Sequence, residues 1–228
     1  MIQSLVDEFR AAARQLRQRL GFTLGATLSL ALGMSLATAV YSVRTAALRP
    51  LPFPEPDRLG YVYEQSLKTG ELGGGSRVPA RHLVTLRTDA SSLTELAAWK
   101  ERYALLGESG EARSVSAKSV TENFFAALRV RPMMGRVFTA DDRDARVVVL
   151  SYALWASQFG SRPNIVGQSV RIGGEEHLVI GVMGPAFDFP RGTRLWFLVS
   201  DDAIAREAAS TIADNDWPKY MTFGRLAP

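Results

Sequence analysis

The apolar residues of this chain are concentrated in one uncharged run near its N-terminus. Residues 21–43 read GFTLGATLSLALGMSLATAVYSV and contain no charged side chain. A helix of this length rises about 1.5 Å per residue and so spans roughly 34 Å, enough to cross a hydrocarbon core of about 30 Å. The run therefore predicts a transmembrane helix over residues 21–43.

Basic residues on the N-terminal side of this run predict its direction. The cations that precede it are Arg10, Arg14, Arg17 and Arg19. This bias favours a cytoplasmic N-terminus and a periplasmic location for residues 45–228 in a bacterium. A signal peptide cleaved after Ala39 is the alternative and directs the same residues outside, but the long basic region and long uncharged run favour an anchor.

Two further patterns lie in this N-terminal part. Apolar residues recur at helical spacing over residues 1–20, opposite the arginines, which predicts an amphipathic helix on the cytoplasmic membrane surface. A positive topology signal without fixed orientation is the alternative. Within the apolar run, small residues recur every fourth position and share one helix face, where another helix could approach closely: Gly25, Ser29, Gly33 and Ala37. Small residues without a packing role are the alternative there.

The remaining chain alternates short predicted helices and strands after a proline-rich stretch. Alternate prolines predict an extended spacer over residues 44–58. The elements that follow indicate an α+β domain with a mostly antiparallel or mixed sheet. Strands are predicted over residues 59–65, 102–106, 112–120, 146–151, 169–172, 177–182, 195–199 and 220–226. Helices are predicted over residues 79–87, 92–99, 121–128 and 152–159, the third with Thr121 as its N-cap.

Composition and charge exclude several classes of protein. The 228 residues include no cysteine and two histidines, which excludes a disulfide scaffold, thiolate zinc sites and cysteine nucleophiles. The formal net charge is +4. Residues 1–44 hold five arginines and two acidic residues, so +3 of this charge lies there and only +1 remains for the rest. We therefore expect no nucleic-acid-binding surface.

One strand contains a pair of residues that could perform covalent catalysis. Ser114, Ser116 and Lys118 share one face of the predicted strand over residues 112–120. A lysine beside a serine can act as the base for a serine nucleophile. A polar, solvated strand face has the same pattern, and we favour that interpretation.

Candidate metal ligands and cofactor motifs are few. Asp141, Asp142 and Asp144 lack the ligand spacing and the glycine of a calcium loop, and we interpret them as a solvated turn and N-cap. His82 and His177 have no partner at metal-binding spacing, so we interpret both as structural or exposed. No Walker motif, dinucleotide fingerprint or nucleophile elbow is present. We therefore expect no catalytic, metal or cofactor site and no enzyme activity.

Several short blocks of sequence resemble one known family in their order and spacing. The blocks are GFT at 21–23, LALG at 30–33, LRPLP at 48–52, NFF at 123–125, GR at 135–136, VVVLSY at 147–152, LW at 154–155, IGVM at 180–183 and FP at 189–190. Together they cover most of the chain, from about residue 10 to residue 226. They resemble MacB-like ABC-transporter permeases, and most closely the large duplicated permeases often found without an adjacent ATPase.

The resemblance implies a cytoplasmic surface helix over residues 1–20, a transmembrane helix over 21–43 and a MacB-like periplasmic core domain over 59–228. It implies a non-catalytic component of the bacterial inner membrane whose periplasmic domain couples ATPase-driven motion to periplasmic transport or partner engagement. The implied partners are a separate ABC ATPase subunit and other permease helices or a second copy, since MacB-like permeases work as dimers. An anchored or secreted periplasmic binding protein without an ATPase is the alternative.

The chain departs from the family pattern at two places. Arg129 stands where relatives usually have glycine after the NFF helix, so we expect this helix to end differently. Relatives continue beyond the position of Pro228 with more periplasmic domain and further membrane helices. We therefore expect the chain to be a fragment whose periplasmic domain is incomplete at its C-terminus.

Overall fold

A computed structural model describes residues 20–47, 53–64, 77–90, 92–107, 112–210 and 219–227, and the structural statements below concern these residues. The chain divides into two compact units, Met1–Leu51 and Pro52–Pro228. The described part of the first unit is a single helix, and that of the second is a mixed sheet with short helices.

Helix α1 of the first unit runs over Leu20–Ala47 and so continues into the predicted spacer. The side chains of residues 21–42 are almost all exposed within the unit, which leaves an apolar cylinder without protein packing around it. Thr27 and Thr38 each donate a hydrogen bond of 2.8 Å from Oγ1 to a backbone carbonyl one turn earlier. Both hydroxyls are thereby satisfied inside the helix, as an apolar surrounding requires.

The described elements of the second unit run from a 3₁₀ turn to a final strand, which pairs with the first strand of the unit. Gly173 and Gly174 both have positive φ, 61° and 84°, and form the tight turn of the hairpin predicted from this glycine pair. The elements are, in order, a 3₁₀ turn Pro56–Arg58, β1 Leu59–Tyr61, β2 Arg77–Pro79, α2 Ala80–Asp89, β3 Leu93–Leu106, β4 Arg113–Val120, α3 Phe124–Ala127, β5 Met134–Gly135, a 3₁₀ turn Ala140–Asp142, β6 Val147–Leu150, α4 Tyr152–Phe159, β7 Ser169–Ile172, β8 Glu175–Val182, β9 Leu195–Leu198, α5 Asp201–Ala209 and β10 Lys219–Leu226.

All ten described strands belong to one sheet. Its order is β1-β10-β3-β4-β9-β6-β8-β5, with β2 paired to the outer side of β10. The pairs β4–β9 and β6–β8 are parallel and the others antiparallel, so the predicted mixed α+β architecture is confirmed. Strand β7 pairs with both β8 and β3. A closed ring of paired strands is thereby formed in the order β3-β4-β9-β6-β8-β7, which curls this part of the sheet into a barrel-like shape.

The two faces of the central strands are buried in different apolar cores. Along β6, Val147 and Val149 belong to an aromatic core beneath α3, whereas Val148 and Leu150 belong to a core that includes α4. Side chains alternate between faces along a strand, so a strand buried on both faces has a continuous apolar sequence. This is why the RVVVLS run correctly predicts a buried strand.

Residues 93–99 form the first half of β3, and the helix predicted over residues 92–99 is wrong. The strand lies between β10 and β4 and is paired with both. Ala97 and Trp99 face the aromatic core, whereas Leu96 and Ala98 face a third core with α2 and α5. Apolar residues on both faces obscure the alternation that identifies a strand, and pairing on both sides outweighs the helix propensity of alanine and leucine.

Two helix starts also differ from the sequence predictions. Helix α5 was not predicted, although Ser200 caps it through a side-chain bond and Asp201 and Asp202 lie in its first turn. Helix α3 begins at Phe124, so Thr121 is not its N-cap. The Thr121 hydroxyl instead donates a hydrogen bond to Asn123 Oδ1 at 2.9 Å and accepts one from the Ala98 amide of β3 at 3.1 Å. These two bonds connect the start of α3 to the sheet.

Candidate functional site

The connecting segment at residues 53–58, which we call the strap, packs on the sheet and is not the extended spacer that its prolines predict. Phe53 is buried, and Pro56 opens the 3₁₀ turn that leads directly into β1. Proline has the φ that the first position of such a turn needs, so the same residue type that excludes a long helix can start a short one. Of the predicted spacer, residues 44–47 therefore belong to α1 and residues 53–58 to the strap.

The strap is attached first through its aromatic side chain. The Phe53 ring packs edge-on against Phe189 with centroids 5.3 Å apart, and lies 6.2 Å from the Phe187 ring. These two rings belong to the β8–β9 loop and join the aromatic core formed by Phe124, Phe125, Phe138, Trp196 and Phe223. Burying a phenylalanine stabilises by about 1.5–3 kcal/mol. Phe53 thus fastens the strap to the centre of the domain.

A second attachment, which we call the clasp, is formed by the side chains of Glu55, Arg58, Arg129 and Arg225. Arg225 lies on β10 and is only 1% exposed. Its guanidinium donates to the carbonyls of Pro54 at 3.1 Å and Glu55 at 3.2 Å in the strap, and to the Ala127 carbonyl of α3 at 3.2 and 3.3 Å. A buried cation needs such partners, and here they are backbone groups of two separate elements. Arg225 therefore joins the strap, α3 and β10.

Glu55 is the single carboxylate of the clasp. It accepts hydrogen bonds from Arg129 and from Arg58 Nη1, the latter at 3.1 Å, and lies 3.8 Å from Arg225 Nη1. Desolvation raises the pKa of the Glu55 carboxyl, but the Arg129 hydrogen bond and the charges of Arg129, Arg58 and Arg225 outweigh it, so the pKa lies below its ordinary value. Glu55 is consequently ionised at neutral pH, between three cations.

The backbone of the clasp is strained at two residues. Glu55 and Arg129 have φ values of 50° and 55°, in the left-handed region that costs a non-glycine residue about 1–2 kcal/mol. Arg129 thus ends α3 in the conformation usual for glycine, and the expectation of a different helix end is wrong. The two strained residues are joined to each other by their ion pair. In the described part of the chain, Ser161 is the remaining non-glycine residue with positive φ.

The predicted helix-packing residues Gly25, Ser29, Gly33 and Ala37 all lie on α1 with exposed side chains. A Cβ atom added at either glycine would meet no other residue within 4 Å, so this face is open. Within the described residues, one helix is long and apolar enough to cross a membrane, at Gly21–Ser42 with a mean hydropathy of 1.5, and a signal sequence has the same properties. The predicted cytoplasmic helix lies outside the described residues, with Arg10, Arg14, Arg17 and Arg19.

The structure brings Ser116 and Lys118 together but does not leave the lysine free to act as a base. Lys118 Nζ lies 3.4 Å from Ser116 Oγ and contacts the Glu101 carboxylate. The lysine is buried against the Trp99 ring, so the predicted solvated face is wrong at this position. The side-chain nitrogen of Lys118 is thus engaged in an ion pair with Glu101 as well as in the contact with Ser116. This geometry favours a structural role for the pair.

Asp142 is buried, which corrects its interpretation as part of a solvated turn. It accepts two hydrogen bonds from Arg136, at 2.5 and 2.7 Å, and one from the Thr139 amide at 3.0 Å. The Arg136 hydrogen bond lowers the pKa of Asp142, against the opposing effect of desolvation. Asp141 and Asp144 are exposed. No group of three histidine or acidic side chains in the described residues has the arrangement of a metal site.

The two histidines lie in different surroundings. His82 is exposed on α2 and contacts the Glu64 carboxylate. His177 is buried on β8, where its Nδ1 lies 3.1 Å from the Glu175 carbonyl and its ring packs edge-on against Phe197 at 5.3 Å. Each ring thus contacts groups of the sheet domain.

These features define the class of the protein as an α+β sheet domain that follows a candidate membrane span in the chain. The model of the family described as MacB-like periplasmic core domain matches residues 23–219. The chain therefore belongs to this family, the periplasmic domains of ABC-transporter permeases.

Solved structures of similar fold have low sequence identity to the chain. A domain assigned as a permease protein from Porphyromonas gingivalis is 16% identical, with a TM-score of 0.55 over 78% of this chain and 76% of that one. The extracellular domain of the noncanonic ABC-type transporter YknZ from Gram-positive bacteria is 16% identical, with a TM-score of 0.49 over 75% and 82%. The periplasmic region of MacB from Actinobacillus actinomycetemcomitans is 14% identical, with a TM-score of 0.46 over 66% of each chain. A search of curated proteins found no match.

Proposed function

We propose that the chain is a non-catalytic component of a MacB-like ABC-transporter permease, in which the periplasmic domain couples ATPase-driven motion of the membrane helix to periplasmic transport or partner engagement. The observation that carries this proposal is the family match, which begins inside α1 and continues through the sheet to residue 219. The helix and the domain thus belong to one family unit. A separate ABC ATPase subunit supplies the energy.

In this proposal residues 21–43 remain in the mature protein as a single membrane anchor. The N-terminus is cytoplasmic because the positive charges that precede the span are retained on that side: Arg10, Arg14, Arg17 and Arg19. Residues 45–228 are periplasmic. The open face of α1, with Gly25 and Gly33 at its centre, packs against other permease helices or a second copy of this helix.

The strap is the part of the sheet domain that a motion of the membrane helix reaches first. It follows α1 along the chain after residues 48–52, and both its attachments lead into the domain. Phe53 contacts the aromatic core, and Arg225 joins the strap to β10 and α3. A displacement of the strap therefore acts on the sheet through a ring cluster and a buried cation.

The test of this proposal uses the absence of native cysteine. Single cysteines are introduced as Ser4→Cys and Ser92→Cys in the full chain, and cells with a permeabilised outer membrane are treated with a membrane-impermeant maleimide. We expect labelling at position 92 only, labelling at position 4 after inner-membrane lysis, and an intact mass that retains residues 21–43. Recovery of a soluble product cleaved after Ala39 would instead identify a secreted binding protein.

A further inference from the structure

Between Phe53 and β1, the strap is held by charged contacts and not by apolar burial. Pro54, Glu55 and Asp57 are exposed, and the side chain of Glu55 is 46% exposed. The amide of Arg58 donates within the strap to the Glu55 carbonyl at 3.1 Å. Segments with few buried apolar contacts and exposed hydrogen bonds open at low free energy. Residues 54–58 of the strap have these properties, whereas β10 beneath them is paired on both sides.

We propose that the clasp is a two-state latch, in which residues 54–58 of the strap detach from and dock onto β10 and α3 as a unit while Phe53 stays in the aromatic core, and the Glu55 carboxylate sets the balance between the two states. In the docked state the strap passes displacement directly to β10 and α3, and in the detached state it acts only through Phe53. This role rests on the proposed function, whereas the latch itself is a property of the chain alone.

Backbone strain favours the detached state. Glu55 is left-handed in the docked strap, so detachment lets it return to an ordinary backbone conformation. Arg129 keeps its positive φ as the end of α3, where the Val130 amide donates to the Phe125 carbonyl at 3.1 Å, so the strain that detachment releases lies at Glu55. Release needs no exposure of a buried carboxylate, because Glu55 is already half exposed.

Charge favours the docked state for as long as Glu55 is ionised. Three guanidinium groups surround one carboxylate, so removal of that negative charge leaves Arg58, Arg129 and Arg225 to repel one another. Arg225 keeps its bonds to the Ala127 carbonyl when the strap leaves, and the nitrogens that bonded the strap become accessible to water. The buried cation is therefore satisfied in both states.

The test is hydrogen–deuterium exchange of the full chain in detergent, read on peptides that cover residues 53–62. We expect Glu55→Gln to raise their exchange rate by about fivefold or more, since each kcal/mol of opening free energy changes a population roughly fivefold. Residues 147–150 of β6 should exchange as in the wild type. The matched control is Glu122→Gln, which removes a partly exposed carboxylate bonded to Arg143 at 3.0 and 3.2 Å and should leave strap exchange within about twofold.

A second variant separates strain from charge. Glu55→Gly removes the carboxylate but adopts positive φ without cost, so its strap should exchange faster than the wild type and slower than Glu55→Gln. Unchanged strap exchange in Glu55→Gln, equal acceleration in Glu122→Gln, or acceleration throughout the sheet would each overturn the latch. Faster exchange in Glu55→Gly than in Glu55→Gln would overturn the role of strain. No ATPase or substrate enters the measurement, so failure of the proposed function leaves this result unaffected.

Discussion

Replacement of Arg225 by methionine removes the cation that joins three elements while keeping a long side chain. Arg225 makes four hydrogen bonds to three backbone carbonyls and is nearly inaccessible to solvent. Methionine fills a similar space and is adaptable in shape, so the loss is one of hydrogen bonds more than of packing. We expect Arg225→Met to destabilise the sheet domain and to free the strap.

The expected loss of stability depends on which carbonyl groups lose their hydrogen bond to Arg225. Ala127 is fully buried, and an unsatisfied buried acceptor costs about 1–3 kcal/mol. Pro54 and Glu55 are exposed, so water replaces the guanidinium at their carbonyls and only the charge-assisted part of each bond is lost. Relief of the desolvation of Arg225 offsets some of this. The net loss is about 2–4 kcal/mol, which lowers Tm by roughly 5–15 °C in a domain of this size.

The assay is thermal unfolding of the full chain in detergent, followed by tryptophan fluorescence. Trp99, Trp155 and Trp196 are buried in the sheet domain and report its unfolding. The matched control is Arg143→Met, because Arg143 makes a two-bond contact with Glu122 at the surface, where such pairs contribute about 0–1 kcal/mol. A Tm of Arg225→Met within about 2 °C of the wild type, or equal to that of the control, would refute the reasoning.

Three further predictions concern other parts of the chain. Gly135→Ala should lower the free energy of unfolding in urea by more than about 3 kcal/mol, because a Cβ there would lie 2.2 Å from the Ile180 carbonyl oxygen at a φ of 71°. Gly160→Ala is the control: its φ is 59° and the space around it is open, so it should lower the free energy of unfolding by only about 1 kcal/mol. Because the pKa of Asp142 is lowered in the folded protein, its ionised carboxylate stabilises the fold at pH values above the ordinary pKa of an aspartate. The urea midpoint should therefore decrease as the pH falls through and below 3.8, and Asp142→Asn should make this decrease smaller. An unaltered slope in the variant would contradict the assignment. Gly33→Leu should weaken association of the chain with its partner helix in detergent by about 10-fold, and retained association would show that this face is not used.

Sequence patterns predicted those elements whose periodicity is simple. The uncharged run gave α1, the continuous apolar run gave β6, and the paired glycines gave the β7–β8 hairpin. In each case one local cue identifies the element: length, burial on both faces or turn chemistry. The family resemblance was likewise correct. Two glycines within the matching blocks, Gly135 and Gly181, have a structural reason to be glycine, since a Cβ at either position would overlap a backbone carbonyl.

The errors arose where distant contacts decide the local structure. The first half of β3 has two buried faces because β10, more than 120 residues later in the chain, pairs with it. The clasp was missed for the same reason, since Glu55, Arg129 and Arg225 are far apart in sequence and meet only in the folded domain. Two local signals point to it: an arginine in a glycine position at residue 129, and a charge within the apolar strand at residue 225.

The most direct test of the account is association with an ABC ATPase. The tagged full chain is extracted from its native membrane in mild detergent after brief crosslinking, alongside a variant whose residues 21–43 are replaced by an unrelated apolar span of equal length. We expect an ATPase subunit with a Walker motif to co-purify with the wild type in comparable amount and to be lost from the variant. Absence of such a subunit from the wild type, or its equal recovery with the variant, would contradict the proposed role as a permease component.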